Sequence, residues 1–215
     1  YFYVLDRTNG RFLRGAPFVK VNWASGLDAN GRPIQTPQPP GQPTWPGNQG
    51  GTNWYSPSFS PRTGLFYIPT WADTESTYRK TPGPDSVKYT EGQQFTGTFP
   101  TMPVPALVAG ATNTRRPQEG YGLIQAVDPQ TGDRKWAFRM DDVTDSGVLS
   151  TASDLVFAGG REGYFFALDA RNGNLLWKSM VGGQVASGPM SYAVNGRQYI
   201  AVSAGNNTFV YALRE

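Results

Sequence analysis

One unit recurs along this chain, and its period restricts the folds open to it. Ala126-Val127-Asp128-Pro129-Gln130-Thr131-Gly132-Asp133-Arg134-Lys135-Trp136 and Ala167-Leu168-Asp169-Ala170-Arg171-Asn172-Gly173-Asn174-Leu175-Leu176-Trp177 match in Ala, Asp, Gly and Trp at a constant offset of 41 residues. A weaker copy, Val4-Leu5-Asp6-Arg7-Thr8-Asn9-Gly10-Arg11-Phe12-Leu13, keeps the Asp and the Gly and has Arg14 where Trp would fall. A fourth begins at Tyr211-Ala212-Leu213. Repeats of ~40–45 residues with roughly four strands each signal propeller blades.

The unit's local physics is that of a hairpin. Gly163 to Leu168 is a run of β-favouring aromatics. Asp-x-x-Asn-Gly or Asp-x-x-Thr-Gly then makes a tight turn, in which Asp accepts backbone N–H groups and Gly takes a positive φ. A second strand carries Trp177 back past Ala167, a large ring opposite a small residue, which suits packing between neighbouring hairpins. One whole unit predicts strands near 148–151, 155–159, 163–168 and 174–179, and the next gives 189–194, 197–202 and 208–213. Between two of these, Val194-Asn195-Gly196-Arg197 holds Asn-Gly, the strongest short hairpin signal. No stretch has the 3.6-residue period of a helix. In these repeats Asp6, Asp128 and Asp169 build turns and carry no chemistry.

Composition removes whole classes of function. The chain has no Cys and no His, so it contains no disulfide, thiolate nucleophile, Ser-His-Asp triad or His-ligated metal or haem. It has 26 Gly and 18 Pro but no apolar run near ~18 residues, so nothing reads as a membrane-spanning helix. Basic and acidic residues number 19 and 16 and are mixed; the one close basic pair is Arg115-Arg116, and no nucleic-acid motif is present. The chain opens at Tyr1, inside a strand-like segment without a signal peptide, and is expected to be part of something longer.

Two segments break the rhythm, about 35–51 and 71–120, the second holding Lys80-Thr81-Pro82-Gly83-Pro84-Asp85. Both read as long loops, where function tends to sit on a β scaffold. Their aromatics, Trp45, Tyr78, Tyr89, Phe95 and Phe99, are expected to pack on something.

The repeated Ala-x-Asp-x-x-Thr/Asn-Gly-x-x-x-Trp resembles the tryptophan-docking motif of the quinoprotein dehydrogenase propellers. Looser versions occur in non-enzymatic propellers. Gly50-Gly51-Thr52-Asn53-Trp54-Tyr55-Ser56-Pro57-Ser58-Phe59-Ser60-Pro61 tightens the match, because it resembles the family's Gly-Gly-x-Asn-Trp-x-x-x-Ser-Tyr/Phe-x-Pro segment. Tyr1 to Gly26 and Gly147 to Phe157 are similar to the alcohol-dehydrogenase branch, the methanol and ethanol dehydrogenases. The resemblance runs in order over essentially the whole chain.

That resemblance implies an all-β fold: residues 1–215 as the C-terminal part of one propeller domain, about three four-stranded blades of an eight-bladed propeller. It implies oxidation of alcohols to aldehydes with pyrroloquinoline quinone beside a calcium or lanthanide ion, and delivery of electrons to an acceptor such as a cytochrome c. An Asp general base is expected, with the cofactor carrying the redox chemistry. Asn53 matches the family's Asn that contacts the cofactor near its reactive carbonyls, and Trp54 is expected to line the same pocket. Ser146-Gly147-Val148 lies where the family brings another loop toward the cofactor. The catalytic Asp, the metal ligands, the vicinal cysteines and the Trp beneath the cofactor fall before Tyr1, so this chain alone is expected to be inactive. A periplasmic location follows from the family, and open blade edges favour association into oligomers. The alternatives are a propeller scaffold that binds partners without chemistry, and a quinoprotein for another substrate such as a sugar. The Asn53-Trp54 segment argues against the scaffold.

Overall fold

The computed structural model describes residues 1–39, 41–79, 89–92, 99–100 and 120–214. Lys80 to Asp85, Phe95 and Arg115-Arg116, singled out above, lie outside the described residues. Regular structure among the described residues is entirely strand.

A hairpin of β1 (Phe2–Leu5) and β2 (Phe12–Ala16) comes first, then a second of β3 (Ala24–Leu27) and β4 (Pro33–Gln35). After β5 (Pro43–Thr44) come β6 (Ser58–Ser60), β7 (Leu65–Ala72), β8 (Ser76–Arg79), β9 (Phe99–Pro100), β10 (Tyr121–Val127) and β11 (Arg134–Arg139). The next unit is β12 (Leu149–Ser150), β13 (Leu155–Gly159), β14 (Tyr164–Asp169) and β15 (Leu175–Met180), and the last is β16 (Met190–Val194), β17 (Arg197–Ala204) and β18 (Asn207–Tyr211). β6-β7-β10-β11 and β12-β13-β14-β15 are four-stranded antiparallel sheets in chain order, and β16-β17-β18 is three-stranded. The first strands of the two full sheets touch: Ser58 Oγ lies 2.7 Å from Ser150 Oγ. These are propeller blades with their first strands innermost.

The repeat has one geometry in all three copies. The turn carboxylates accept backbone N–H bonds two residues on, from Thr8 to Asp6 (2.9 Å), Gln130 to Asp128 (2.8 Å) and Arg171 to Asp169 (2.7 Å). Gly10, Gly132 and Gly173 close the turns at φ 74, 82 and 76°, a conformation that L side chains enter at a cost. Across the hairpins Ala126 faces Trp136, Ala167 faces Trp177 and Val4 faces Arg14, with a register shift one residue later in each. Trp136 then docks on the next blade, where its indole N–H donates to Ala170 O at 3.1 Å. Its ring lies so close to Gly173 that a Cβ there would fall 2.5 Å from it. In the first copy no indole is present, and the close approach is made by Ala16 to Gly132.

The central strands are buried on both faces, as expected for sheets stacked between neighbours. Phe166 packs with Tyr67, Ile124, Trp136 and Leu168 in one core cluster, and Phe165 points the other way, to Val185, Val202 and Ala204. Asn195 and Gly196 take φ 51 and 80°, the left-handed pair of a type I′ turn, in the Asn-Gly hairpin read from the sequence.

The described parts of the two long insertions include strands. They pair with each other: Pro43 and Thr44 of β5 face Thr77 and Ser76 of β8, and β8 pairs β9. Asn22 pins this pairing, since its amide donates to Pro43 O (2.9 Å) and its Oδ1 accepts from the Trp45 backbone (2.8 Å). Strands of two residues containing Pro leave no periodic signal in a sequence. Of the loop aromatics, Trp45 packs under Lys20, whose ammonium lies 3.5 Å from the ring centroid. Tyr89 is 68% exposed.

Candidate functional site

The site-bearing segment is held by a substitution of one edge for another. β6 pairs β7 only at Leu65–Tyr67. Beyond Tyr67 no strand among the described residues lies along the inner edge of β7, so Pro69, which lacks an N–H, is tolerated there. Gly51 and Thr52 occupy that edge instead: Trp71 N donates to Gly51 O at 2.8 Å, and Thr52 Oγ1 donates to Pro69 O at 2.8 Å. Gly51 is required because a Cβ would meet Val19 at 2.7 Å. Asn53 and Trp54 follow at once, at the mouth of the innermost strand.

Both side chains face outward. Trp54 is 67% exposed. Asn53 Oδ1 accepts from the Trp54 backbone N–H at 2.9 Å, while its Nδ2 donates to Gln49 O and Oε1, each at 3.3 Å, the weak end of the range. An exposed flat ring beside a weakly committed amide donor fits one wall for a planar aromatic quinone: a surface to lie against and an N–H for a carbonyl oxygen. No three Asp or Glu side chains converge among the described residues, so none is assigned as a metal ligand.

Under this wall lies a cluster that the sequence did not announce. Tyr55, 3% exposed, packs against Trp54 at 5.1 Å between centroids and stacks on Trp71 at 6.3 Å. Trp71 Nε1 donates to Thr144 O at 2.6 Å, and the Arg161 guanidinium sits 5.1 Å over the Trp71 ring. Arg161 grips Asp145 through two bonds, at 2.7 and 3.3 Å. Burial first, and then the Asp145 charge, pushes the Tyr55 phenol up to about 12. Tyr55, Trp71, Asp145 and Arg161 come from separate segments, and no spacing in the sequence links them.

Ser146-Gly147-Val148 does approach the wall, since Val148 N donates to Ser56 O at 2.8 Å. It offers no side chain to a ligand. Ser146 is fully buried; its Oγ donates to Gly147 O (2.8 Å) and accepts from Gly159 N (3.1 Å). A separate cavity of about 370 Å³ lies in the preceding cleft, between Phe18 and Lys20 on one side and Tyr121, Gln125 and Arg134 on the other. Gln125 Nε2 donates to Phe18 O and Thr70 Oγ1, and its Oε1 is left without a partner.

Stacked four-stranded antiparallel sheets, docked by a turn-accepted indole, define a segment of a tryptophan-docked β-propeller. A family model described as the β-propeller domain of PQQ-type glucose/ethanol/alcohol dehydrogenases matches residues 139–200. The quinoprotein alcohol dehydrogenase PedH of Pseudomonas putida is 34% identical over 95% of this chain and 34% of that protein. The 1-butanol dehydrogenase (cytochrome c) of Thauera butanivorans is 33% identical over 95% of this chain and 29% of that protein. In structure, the quinohemoprotein alcohol dehydrogenase of Comamonas testosteroni aligns with TM-score 0.78 and 30% identity, covering 96% of this chain and 31% of that one. A europium-containing methanol dehydrogenase aligns with TM-score 0.75 and 30% identity, covering 93% and 34%. The chain spans about a third of the length of the curated relatives it matches. Residues 139–200 thus match a PQQ-type propeller model, and quinoprotein alcohol dehydrogenases are among the chain's homologues.

Proposed function

We propose that this chain forms one wall of the active site of a pyrroloquinoline quinone-dependent dehydrogenase that oxidises alcohols to aldehydes. The observation that carries the proposal is the outward-facing Asn53–Trp54 pair, registered on the free inner edge of β7. In this reading Asn53 Nδ2 exchanges its weak bonds to Gln49 for one to a quinone oxygen, where it favours developing negative charge. Trp54 presents its ring to the same group and keeps water from that side. Pyrroloquinoline quinone, when bound, supplies the two-electron acceptor chemistry. The buried stack of Tyr55 on Trp71 keeps the wall rigid, so little ordering remains to be done on binding.

A calcium or lanthanide ion belongs to the same reading, supported by the europium-containing neighbour. A cytochrome c acceptor is supported by the name of the butanol-oxidising relative, and a periplasmic location by the same kinship. The test is a cofactor titration of the protein at its natural length. Asn53→Ala is expected to weaken quinone affinity about tenfold, the worth of one hydrogen bond to a partly charged oxygen. Trp54→Ala is expected to weaken it further and to lower dye-linked alcohol oxidation with it. Unchanged affinity and turnover in both variants would remove Asn53 and Trp54 from the site.

A further inference from the structure

Asp145 is a largely buried carboxylate with donors on two separate segments and Tyr55 of a third nearby. Arg161, in the turn between β13 and β14, donates to it at 2.7 and 3.3 Å. Gln184, beyond β15, donates through Nε2. Tyr55, ahead of β6, lies near enough to feel its charge. Withdrawing a carboxylate from water costs several kcal/mol unless its oxygens are met by donors, so these partners are held tightly once the fold has closed.

The geometry leads from Asp145 back to the proposed wall. Its guanidinium partner covers Trp71, Trp71 stacks on Tyr55, and Tyr55 lies against Trp54. The preceding residue closes the circuit, because Thr144 O accepts the Trp71 indole N–H. The place in the blade is also telling. Trp54 stands four residues before its innermost strand at Ser58, and Asp145 stands four residues before its own at Leu149. Equivalent positions of consecutive blades thus hold an outward ring in one case and an inward carboxylate in the next.

We propose that Asp145 is the positioning residue of the Asn53–Trp54 wall: it holds Arg161 and Gln184 beside Tyr55 and, through Trp71, sets where Trp54 stands. The structural arrangement is independent of the ligand; its consequence for cofactor affinity rests on the function proposed above. A second buried carboxylate supplies the control. Asp154 pairs with Arg62 of the neighbouring blade and Arg171 of its own, but among the described residues no aromatic chain joins it to Trp54.

The experiment uses the protein at its natural length, labelled with 5-fluorotryptophan, with the Trp54 fluorine resonance assigned from Trp54→Phe. Asp145→Asn keeps the shape and removes the charge. It is expected to shift or broaden the Trp54 resonance and to weaken quinone binding about tenfold. Tyr55→Phe, a milder change, is expected to move the same resonance in the same direction. Asp154→Asn is expected to lower the unfolding midpoint and to leave both signals in place. An unmoved Trp54 resonance in Asp145→Asn and Tyr55→Phe overturns the proposal, as does an equal shift in Asp154→Asn. A shifted resonance with unchanged quinone affinity upholds the positioning role and instead refutes Asn53–Trp54 as the cofactor wall.

Discussion

Ala170 O is a buried carbonyl with two donors from the neighbouring blade, and removing them in turn tests how the blades are joined. Trp136 Nε1 reaches it at 3.1 Å and Tyr67 OH at 3.0 Å. Trp136→Phe removes one donor and part of a buried ring. The carbonyl keeps its other partner, so the hydrogen-bond loss is about 0.5–1.5 kcal/mol. The lost ring volume adds ~1–2 kcal/mol, since the full Trp→Ala cost is about 3–5 kcal/mol. Tyr67→Phe leaves the ring, which is fully buried, and takes away the hydroxyl that also meets Thr63 Oγ1 at 2.6 Å. Its cost is about 1–2 kcal/mol. In the double variant Ala170 O loses both donors away from water, and an orphaned buried acceptor costs a further ~1–3 kcal/mol. The two changes are therefore expected to be worse together than their sum, by about 1 kcal/mol or more. Urea unfolding of the natural-length protein, single variants against double, measures this coupling. Additivity within about 0.5 kcal/mol would refute the shared carbonyl as the joint between the blades.

Two further outcomes are expected. Gly173→Ala puts a Cβ 2.5 Å from the Trp136 ring at φ 76°; the left-handed backbone alone costs ~1–2 kcal/mol, and the displaced indole adds to it, so the unfolding midpoint should fall more than in the same change at Gly10, where the Cβ meets nothing. Arg62, by hydrogen bonding and charge, with Arg171 beside it, holds the Asp154 carboxyl below its ordinary range. Its folded pKa being the lower, this clamp contributes stability at pH values above the unfolded value of about 3.9 and loses it as pH falls through the folded one. Stability measured across the acid range should therefore fall less steeply in Asp154→Asn, and an identical acid profile would show that the pair contributes nothing.

The blade hairpins were legible because each is local: Asp, Gly and Trp within eleven residues specify turn, bulge and facing pair without help from elsewhere. The strand expected at 155–159 is Leu155–Gly159 in the structure, whereas that expected at 208–213 is Asn207–Tyr211, and 148–151 shrinks to Leu149–Ser150. Those ends depend on pairing partners, which a local pattern does not contain. Asn53 and Trp54 were legible as neighbours in one motif. The carboxylate beneath them was not. Tyr55, Trp71, Asp145, Arg161 and Gln184 meet only after three consecutive units have stacked, and each looks like an ordinary surface or core residue in its own segment. The pairing of β5 with β8 was hidden for the same reason, compounded by the prolines that made both insertions read as loops.

The shortness of β6 has a consequence for how such a chain can change. Because β7 runs on past its partner, the free edge acts as a rail, and the segment ahead of Asn53 is hitched to it at two points, Gly51 and Thr52. Residues before the hitch can lengthen, shorten or be exchanged, and the register of Asn53 and Trp54 is still set downstream by the rail. Variation in the Pro-rich insertion is thereby uncoupled from the wall. A protein built this way can reshape the approach to its site while the contact face stays where the blade puts it.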